Sequence, residues 1–325
     1  SGAIDFESQE KVTEEFEKLL IKGIKPSRGL EFARSTGLVY RYWPELHNLI
    51  DVLQDPYRHP EGDVWTHTLQ VLDAGADIAN REGLDDSERL VLQLSNLGHD
   101  FGKVPTTEYR DNRWRAYGHD TAGVGLVASF LDRFTCADEI KRQVPYLVAE
   151  HMAPRRYWRI AMKKSDDQQA QDRMIRRLSV RLAHGNATLR MLALVAEADG
   201  RGRNGIGNEP LDVESAKDLA VWKTWFMETV QRLVVENDAP KPIISGGMIV
   251  TEFGLPPGPW IGAIVKAVYL DQIDGVVADT STGFLQAEQY YKQWRATIGF
   301  ESDTDRKTWD MLRRSEDPRN GMGQP

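Results

Sequence analysis

His99 and Asp100 stand side by side in "SNLGHDFGKVP", at the end of an apolar run and just before a glycine, a lysine and a proline. An imidazole and a carboxylate are both good donors to a divalent cation. Neighbours on a helix diverge by about 100°, so both can touch one ion only if it sits in the groove beside that helix and other helices complete its shell. Without such partners the pair reads as a histidine capping a helix end beside a solvated aspartate.

Other segments place polar groups on apolar faces. His67 lies three residues after Val64 and four before Val71, and Asp199 lies four after Val195 and seven after Leu192, so both point toward a core. Burying a carboxylate without a partner is costly or forces it to protonate, so Asp199 calls for a cation: a metal, or one of Arg190, Arg201 and Arg203. His151 follows Leu147 and Val148, where a satisfied core histidine is the alternative. His119, in "AYGHDTAG", sits at a glycine-marked junction where it reads equally as an N-cap.

The candidate metal ligands in chain order are therefore His67, His99, Asp100, His119, His151 and Asp199. All offer nitrogen or oxygen. Cys136 is the sole cysteine, which excludes a thiolate cluster and an intrachain disulfide. Such donors suit one or two ions of Mn, Fe, Co, Ni or Zn, with Mg at a carboxylate-rich position.

A phosphate substrate would need fixed positive charge. Lys103, four residues after His99, could reach a phosphoryl oxygen or assist a leaving group, or instead meet the dipole at a helix C-terminus. Arg155 and Arg156 follow His151, and Arg201 and Arg203 follow Asp199, so four guanidiniums could gather as phosphate clamps; each alone would be a solvated charge. Trp65, Trp114, Tyr117, Tyr157 and Trp158 could stack a base, although such spacing is also that of packing. His59, Glu61 and Asp63 either surround His67 or shape a turn.

Helices must hold these groups, because nearly every segment has helical rather than alternating periodicity. Val12, Phe16, Leu19 and Leu20 fall on one face, Pro26 and Ser27 start a second helix, and "DPYRHPEGD" is a loop entering "VWTHTLQVLDAGADIA". "DSERLVLQLSNLGHD" follows with a Ser or Asp cap, and "PTTEYRDNRWRAYGHD" reads as an aperiodic surface excursion. Further helices run through "DEIKRQVPYLVAEHM" and "IRRLSVRLAHGNATLRMLALVAEADG", the latter broken at "HGN". The expected architecture is all-α: an N-terminal helical region over 1–60, a central domain over 61–205, a C-terminal helical region over 206–300 and a polar tail over 301–325. The glycine-rich "RGRNGIGNEPLD" marks the second boundary.

Composition bounds the function. Hydrophobic residues at 41% and charged residues at 28% fit a compact globular protein, and a net charge of −8 lacks the basic excess of a dedicated nucleic-acid binder. No stretch approaches the roughly 18 apolar residues of a membrane span, and "SGAIDFESQE" has no signal-peptide pattern, so a cytoplasmic location without membrane partners is expected.

A histidine, a His-Asp pair and a later aspartate in this order resemble the HD-domain phosphohydrolase superfamily, and "HDFGK" is similar to its second motif. His119 and His151 resemble the additional histidines of its binuclear subset, in which the aspartate bridges two metals. "EFEKLL", "PSRGLEFARSTGLV", "DPYRHPEGDVWTHTLQVLDAG", "EHM", "AEADGRGR" and "FGLPPGPWIGAIVKAVY" further resemble the part of bacterial tRNA nucleotidyltransferases of the multifunctional CCA-adding type that follows the catalytic head. This likeness spans most of residues 10 to 275. It implies a helical HD core and metal-dependent hydrolysis of phosphomonoesters, 2′-nucleotides or 2′,3′-cyclic nucleotides, with Asp100, Lys103 and His119 as catalytic candidates. The implied substrate is a nucleotide or RNA-end phosphate, with tRNA as a partner. A tRNA-docking body with a vestigial or regulatory HD site and a hydrolase of a nucleotide messenger are the rival readings. The Gly-Ser turn and paired-aspartate strand of the family's head are not found upstream of the first helices, so nucleotide addition is not expected of this sequence.

Overall fold

The structure is a computed structural model that describes residues 9–163, 167–203, 213–254, 257–298 and 303–321. Helices dominate it, as expected. The chain runs through α1 (Gln9–Lys22), α2 (Pro26–Ser35), the short α3 (Leu38–Tyr42) and α4 (Pro44–His47), then α5 (Val64–Glu82), α6 (Asp86–Gly98) and a single turn, α7 (Lys103–Thr106). A two-stranded hairpin, β1 (Thr107–Arg110) and β2 (Arg113–Ala116), leads into α8 (His119–Leu131), α9 (Asp138–Glu150) and α10 (Ala153–Lys163). α11 (Gln168–Ala183), α12 (Leu189–Arg201), α13 (Val213–Arg232), α14 (Gly246–Phe253), α15 (Pro259–Ile273), α16 (Thr280–Thr297) and α17 (Asp303–Arg314) follow, with a closing turn at Pro318–Gly321.

Contacts group these elements into two compact units: residues 1–165 with 179–238, and residues 166–178 with 239–325. In the first unit α5, α6, α9 and α12 bury one another's apolar faces through residues such as Val71, Leu72, Leu92, Leu147 and Leu192. Each such side chain contributes about 1.5–3 kcal/mol of burial. Local chemistry fixes where the helices begin. The Asp63 carboxylate accepts from the Thr66 N–H at 2.9 Å and from the Asp51 N–H at 2.8 Å, so one side chain starts α5 and ties the preceding loop to it. Asp85 and Glu88 form a capping box at α6, and Thr188 caps α12.

Two glycines permit close approaches that bring helix ends together. A Cβ on Gly102 would lie 1.9 Å from the His119 carbonyl oxygen, and one on Gly202 would lie 2.3 Å from Val71 Cγ2. The first contact seats the turn after Asp100 against the start of α8. The second seats the end of α12, with Asp199, against α5.

The second unit has an apolar, tryptophan-rich core. Trp260, Ile264, Val268, Trp294 and Trp309 are buried in it, and the Trp294 and Trp309 rings lie 5.8 Å apart.

Three expectations need correction or limits. Residues 303–314, expected within a polar tail, form α17, because Trp309 and Leu312 fall on one face and are buried at 1% and 7% exposure. The excursion after α7 contains a regular antiparallel hairpin, whose Asp111 and Asn112 have φ of 53° and 58°, the left-handed pair that a tight two-residue turn requires. Most of the glycine-rich boundary (204–212), Leu255 and Pro256 of "GLPPG", and residues 322–325 lie outside the described residues.

Candidate metal centre

The six candidate ligands all stand at helix ends. His67 lies in the first turn of α5, His99 directly follows α6, Asp100 comes next, His119 opens α8, His151 directly follows α9, and Asp199 lies in the last turn of α12. His67 is fully buried, Asp100 is 1% exposed, and His99, His119 and His151 are buried with them.

Their tautomers follow from the oxygens they face. The Nδ1–H groups of His99, His119 and His151 donate to the carbonyls of Asn96, Ala116 and Val148, each at 2.7 Å. His67 Nδ1 lies 2.8 Å from Glu61 Oε1 and 3.3 Å from the Gly202 carbonyl. Those oxygens can only accept, so each Nδ1 carries a proton; the Nε2 of His99, His119 and His151 presents a lone pair, and the Nε2 of His67 does so once it gives up the proton that Asp199 favours there. The lone pairs converge. His67 Nε2 and His99 Nε2 are 3.3 Å apart, His67 Nε2 is 3.2 Å from Asp199 Oδ1, and His99 Nε2 is 3.2 Å from Asp100 Oδ2. The other oxygen of Asp100, Oδ1, lies 3.4 Å from His119 Nε2.

Asp100 thus belongs to two groups, with His67 and His99 on one side and His119 and His151 on the other, and within each the donor atoms lie within 4.8 Å of one another. The arrangement fits a divalent cation. Lone pairs facing one another at about 3.3 Å repel unless a positive charge stands among them, and two ligands held about 2.1 Å from one ion at tetrahedral to octahedral angles lie about 3.0–3.4 Å apart.

Electrostatics agree. Burial disfavours a charged Asp100, but His99 and Lys103 hold its pKa well below the usual carboxylate range. Burial likewise opposes charge on Asp199, which Arg203 and His67 hold well below its ordinary value. Burial also opposes a proton on His67, yet Asp199 and Glu61 outweigh it and raise the pKa. His151, buried and facing His99 and His119, is pushed down to about 4 and stays neutral.

Of the expected cationic residues, two join the centre directly. Lys103 Nζ lies 2.7 Å from Asp100 Oδ2 and donates to Gln54 Oε1 at 2.6 Å. It opens α7 rather than closing α6, so it meets a carboxylate and not a helix dipole. Arg203 donates to both Asp199 oxygens, at 2.9 and 2.8 Å. Arg201 does not join: two residues after Asp199 it lies about 200° round the helix, and it pairs with Asp77 at 3.3 Å. Arg190 pairs with Glu88 instead of Asp199. Arg155 is held by Asp218 at 2.5 Å, and Arg156 approaches Asp120, the neighbour of His119, at 3.9 Å.

Among the aromatics, Trp65 is buried and donates to Glu31, a packing role. Trp114 packs on Tyr109 within the hairpin, Tyr117 accepts from Arg115, and Tyr157 accepts from Arg181.

His59 and Glu61 do more than shape a turn. Glu61 Oε1 lies 2.8 Å from both His59 Nδ1 and His67 Nδ1, so one oxygen accepts from two rings and fixes the orientation of His67. Burial alone would raise the Glu61 pKa, but these two hydrogen bonds bring it down to about 2. Gln54 is the contributor that sequence reasoning missed entirely; it lies in a loop without periodicity, and only the fold brings it to Lys103.

Residues 64–196 match the family model of the HD domain. The chain is 31% identical to the multifunctional CCA protein of Methylococcus capsulatus over 255 residues, 78% of this chain and 53% of that protein. It is 30% identical to the one from Nitrosococcus oceani over 213 residues, 65% of this chain and 47% of the other. With the one from Halorhodospira halophila it shares 36% identity over 124 residues, 38% and 27% of the respective chains. The matches span about half of these relatives' length or less. All six candidate ligands except Asp199, which lies just past it, fall inside the matched domain.

Proposed function

We propose, from the match of residues 64–196 to the HD-domain family model, that the chain is a metal-dependent phosphohydrolase acting on nucleotide or RNA-end phosphates, as a phosphomonoesterase, 2′-nucleotidase or 2′,3′-cyclic phosphodiesterase. The observation that carries this reading is the single carboxylate of Asp100 standing between two imidazole groups, 3.2 Å from His99 and 3.4 Å from His119. His67, His99, Asp100 and Asp199 would hold one cation, and Asp100, His119 and His151 a second. A divalent metal, when bound, supplies Lewis acidity that lowers the pKa of a water and offsets phosphoryl charge.

The chain's own residues do the rest. The backbone carbonyls of Asn96, Ala116 and Val148 lock three rings with Nε2 inward, so no reorganisation is needed on loading. Lys103 stands 2.7 Å from Asp100 and can turn its ammonium to a phosphoryl oxygen or to the departing alkoxide. Arg203 keeps Asp199 ionised and offers guanidinium edge to the substrate.

The test is hydrolysis of bis(p-nitrophenyl) phosphate, 2′-AMP and 2′,3′-cyclic AMP by protein loaded in turn with Mn2+, Co2+, Ni2+, Zn2+ or Mg2+, against His99→Ala and Asp100→Ala. Equal turnover in the variants rejects the reading. A second reading, a tRNA-docking body with a vestigial or regulatory HD site, is favoured by one observation: likeness to the Methylococcus capsulatus protein extends over 255 residues, far beyond the HD domain. Tight, salt-sensitive retention of tRNA on a filter, without hydrolysis of any phosphate ester, would select it. A hydrolase of a nucleotide messenger would be separated by substrate profiling.

A further inference from the structure

α10 is the most basic stretch beside the centre. Its sequence, APRRYWRIAMK, carries Arg155, Arg156, Arg159 and Lys163 and no acidic residue, in a chain whose net charge is −8. The helix opens two residues after His151, so its first turns lie next to the metal centre. Arg155 and Arg159 are one turn apart and share a face. Arg155 is tied to Asp218 of α13, whereas the guanidinium of Arg159 makes no ion pair or hydrogen bond among the described residues.

These guanidiniums crowd one another. Partial burial and then the repulsion of Arg155 depress the pKa of Arg159, an exposed residue of α10, and Asp218 counters them. Nearby donors are also in surplus. Arg155 Nε, Trp158 Nε1 and Arg203 Nε are buried N–H groups with no acceptor among the described residues. Positive charges brought together on α10 and at the end of α12, against which α10 packs, cost free energy unless an anion joins them. Arg203 also touches Asp199, which is 3.2 Å from His67, so the crowded region adjoins the centre rather than lying apart from it.

We propose that Arg155 and Arg159 form a second phosphate subsite, which holds a phosphate group other than the one hydrolysed. The inference rests on the phosphohydrolase reading for its place in catalysis and deepens it: the preferred substrate carries two phosphates, one at the metal centre and one at α10. The second phosphate is either the next phosphodiester of an RNA strand or the 5′-phosphate of a nucleotide. Binding there neutralises the guanidinium cluster without bond making or breaking, so the subsite governs KM.

The experiment compares three substrates on metal-loaded protein: adenosine 2′-monophosphate, adenosine 2′,5′-bisphosphate, and an adenosine dinucleotide ending in a 2′-phosphate. In the wild type at least one added phosphate lowers KM roughly tenfold, the size of one or two charge-assisted hydrogen bonds. Arg159→Ala collapses that ratio toward one, Arg159→Lys restores part of it, and Lys18→Ala, a charge-matched change in an exposed ion pair, preserves it. Which of the two larger substrates gains identifies the source of the phosphate.

Calorimetric titration of adenosine 2′-monophosphate and the bisphosphate into metal-free protein reads the subsite without turnover. Should the wild type hydrolyse nothing, the phosphohydrolase reading fails, while a tighter Kd for the bisphosphate, lost in Arg159→Ala, still upholds the subsite. An identical ratio in wild type and Arg159→Ala, or no gain from either second phosphate in both assays, overturns it.

Discussion

Asp100 in the first unit and Asp271 in the second are both buried carboxylates on packed helical elements, yet their surroundings differ in kind. Asp271 accepts from the Tyr290 hydroxyl at 2.7 Å and from Arg319 at 2.8 Å, and the same guanidinium satisfies Asp274 and Asp317, with Arg177 also on Asp274. Donors and acceptors balance there. Around Asp100 the imidazole Nε2 atoms and the Asp199 carboxylate add acceptors, against which stand the cations of Lys103 and Arg203. A closed network holds a fold together; an open one, with lone pairs converging on a common space, is arranged for something that arrives from outside.

Substitutions on the two sides should therefore behave in opposite ways. The largest effect is expected for Asp100→Asn, which removes the charge shared by both imidazole groups. Phosphate-ester hydrolysis should fall roughly a thousandfold or more, since several kcal/mol of charge stabilisation are lost. The metal-free variant should also lose some stability, because the buried Lys103 is left with Gln54 alone, so the distinguishing readout is metal affinity, which should be lost with the activity. Arg319→Ala is the mirror experiment. It strands Asp271 and Asp274 and should cost about 3 kcal/mol in denaturant unfolding, while metal affinity stays as in the wild type.

Glu61→Gln sharpens the contrast within the open network. It weakens the acceptor that orients His67, and metal affinity measured by calorimetry should fall roughly tenfold. An unaltered isotherm would reduce Glu61 to a turn residue. The smallest effect is on pH. In the metal-free protein the pKa of His67 is raised above its ordinary 6.5, because Asp199 and Glu61 outweigh burial. A cation must displace that proton, so affinity should weaken by up to about tenfold for each pH unit below the raised value and level off above it. The linked stability has the opposite sense: the bound proton stabilises the metal-free fold fully below the unfolded value of 6.5, and that contribution disappears as pH rises through the folded one. Affinity that is flat across this range would show that His67 already presents a free lone pair.

Much of the open network was legible in the sequence, since apolar spacing marks polar residues that face a core. His67 and Asp199 stand out in that way, His151 follows two core residues, and "GHDFGK" announces a helix end. What stayed hidden depends on loops and on fine rotation. Arg201 and Arg203 look equivalent in the sequence, but helical rotation sends one to Asp77, and the chain's exit past Gly202 brings the other to Asp199. Gln54 sits in an aperiodic loop whose path is set by Asp63 holding Asp51. The hairpin carried a legible signal, Asp-Asn between short alternating runs, that the surrounding polar residues masked. The closed network was invisible because it needs Arg319 to fold back over α15 from 45 and 48 residues away, and the polarity of its surroundings concealed the helix that Trp309 anchors.

Titration of chelator-stripped protein with Co2+, followed by visible absorption and calorimetry, tests most directly that converging Nε2 atoms and carboxylates form a metal centre. The account predicts saturable binding with the absorption bands of nitrogen and oxygen ligation, lost in Asp100→Asn. Absence of saturable binding at about millimolar Co2+, or the same isotherm for wild type and Asp100→Asn, would contradict it.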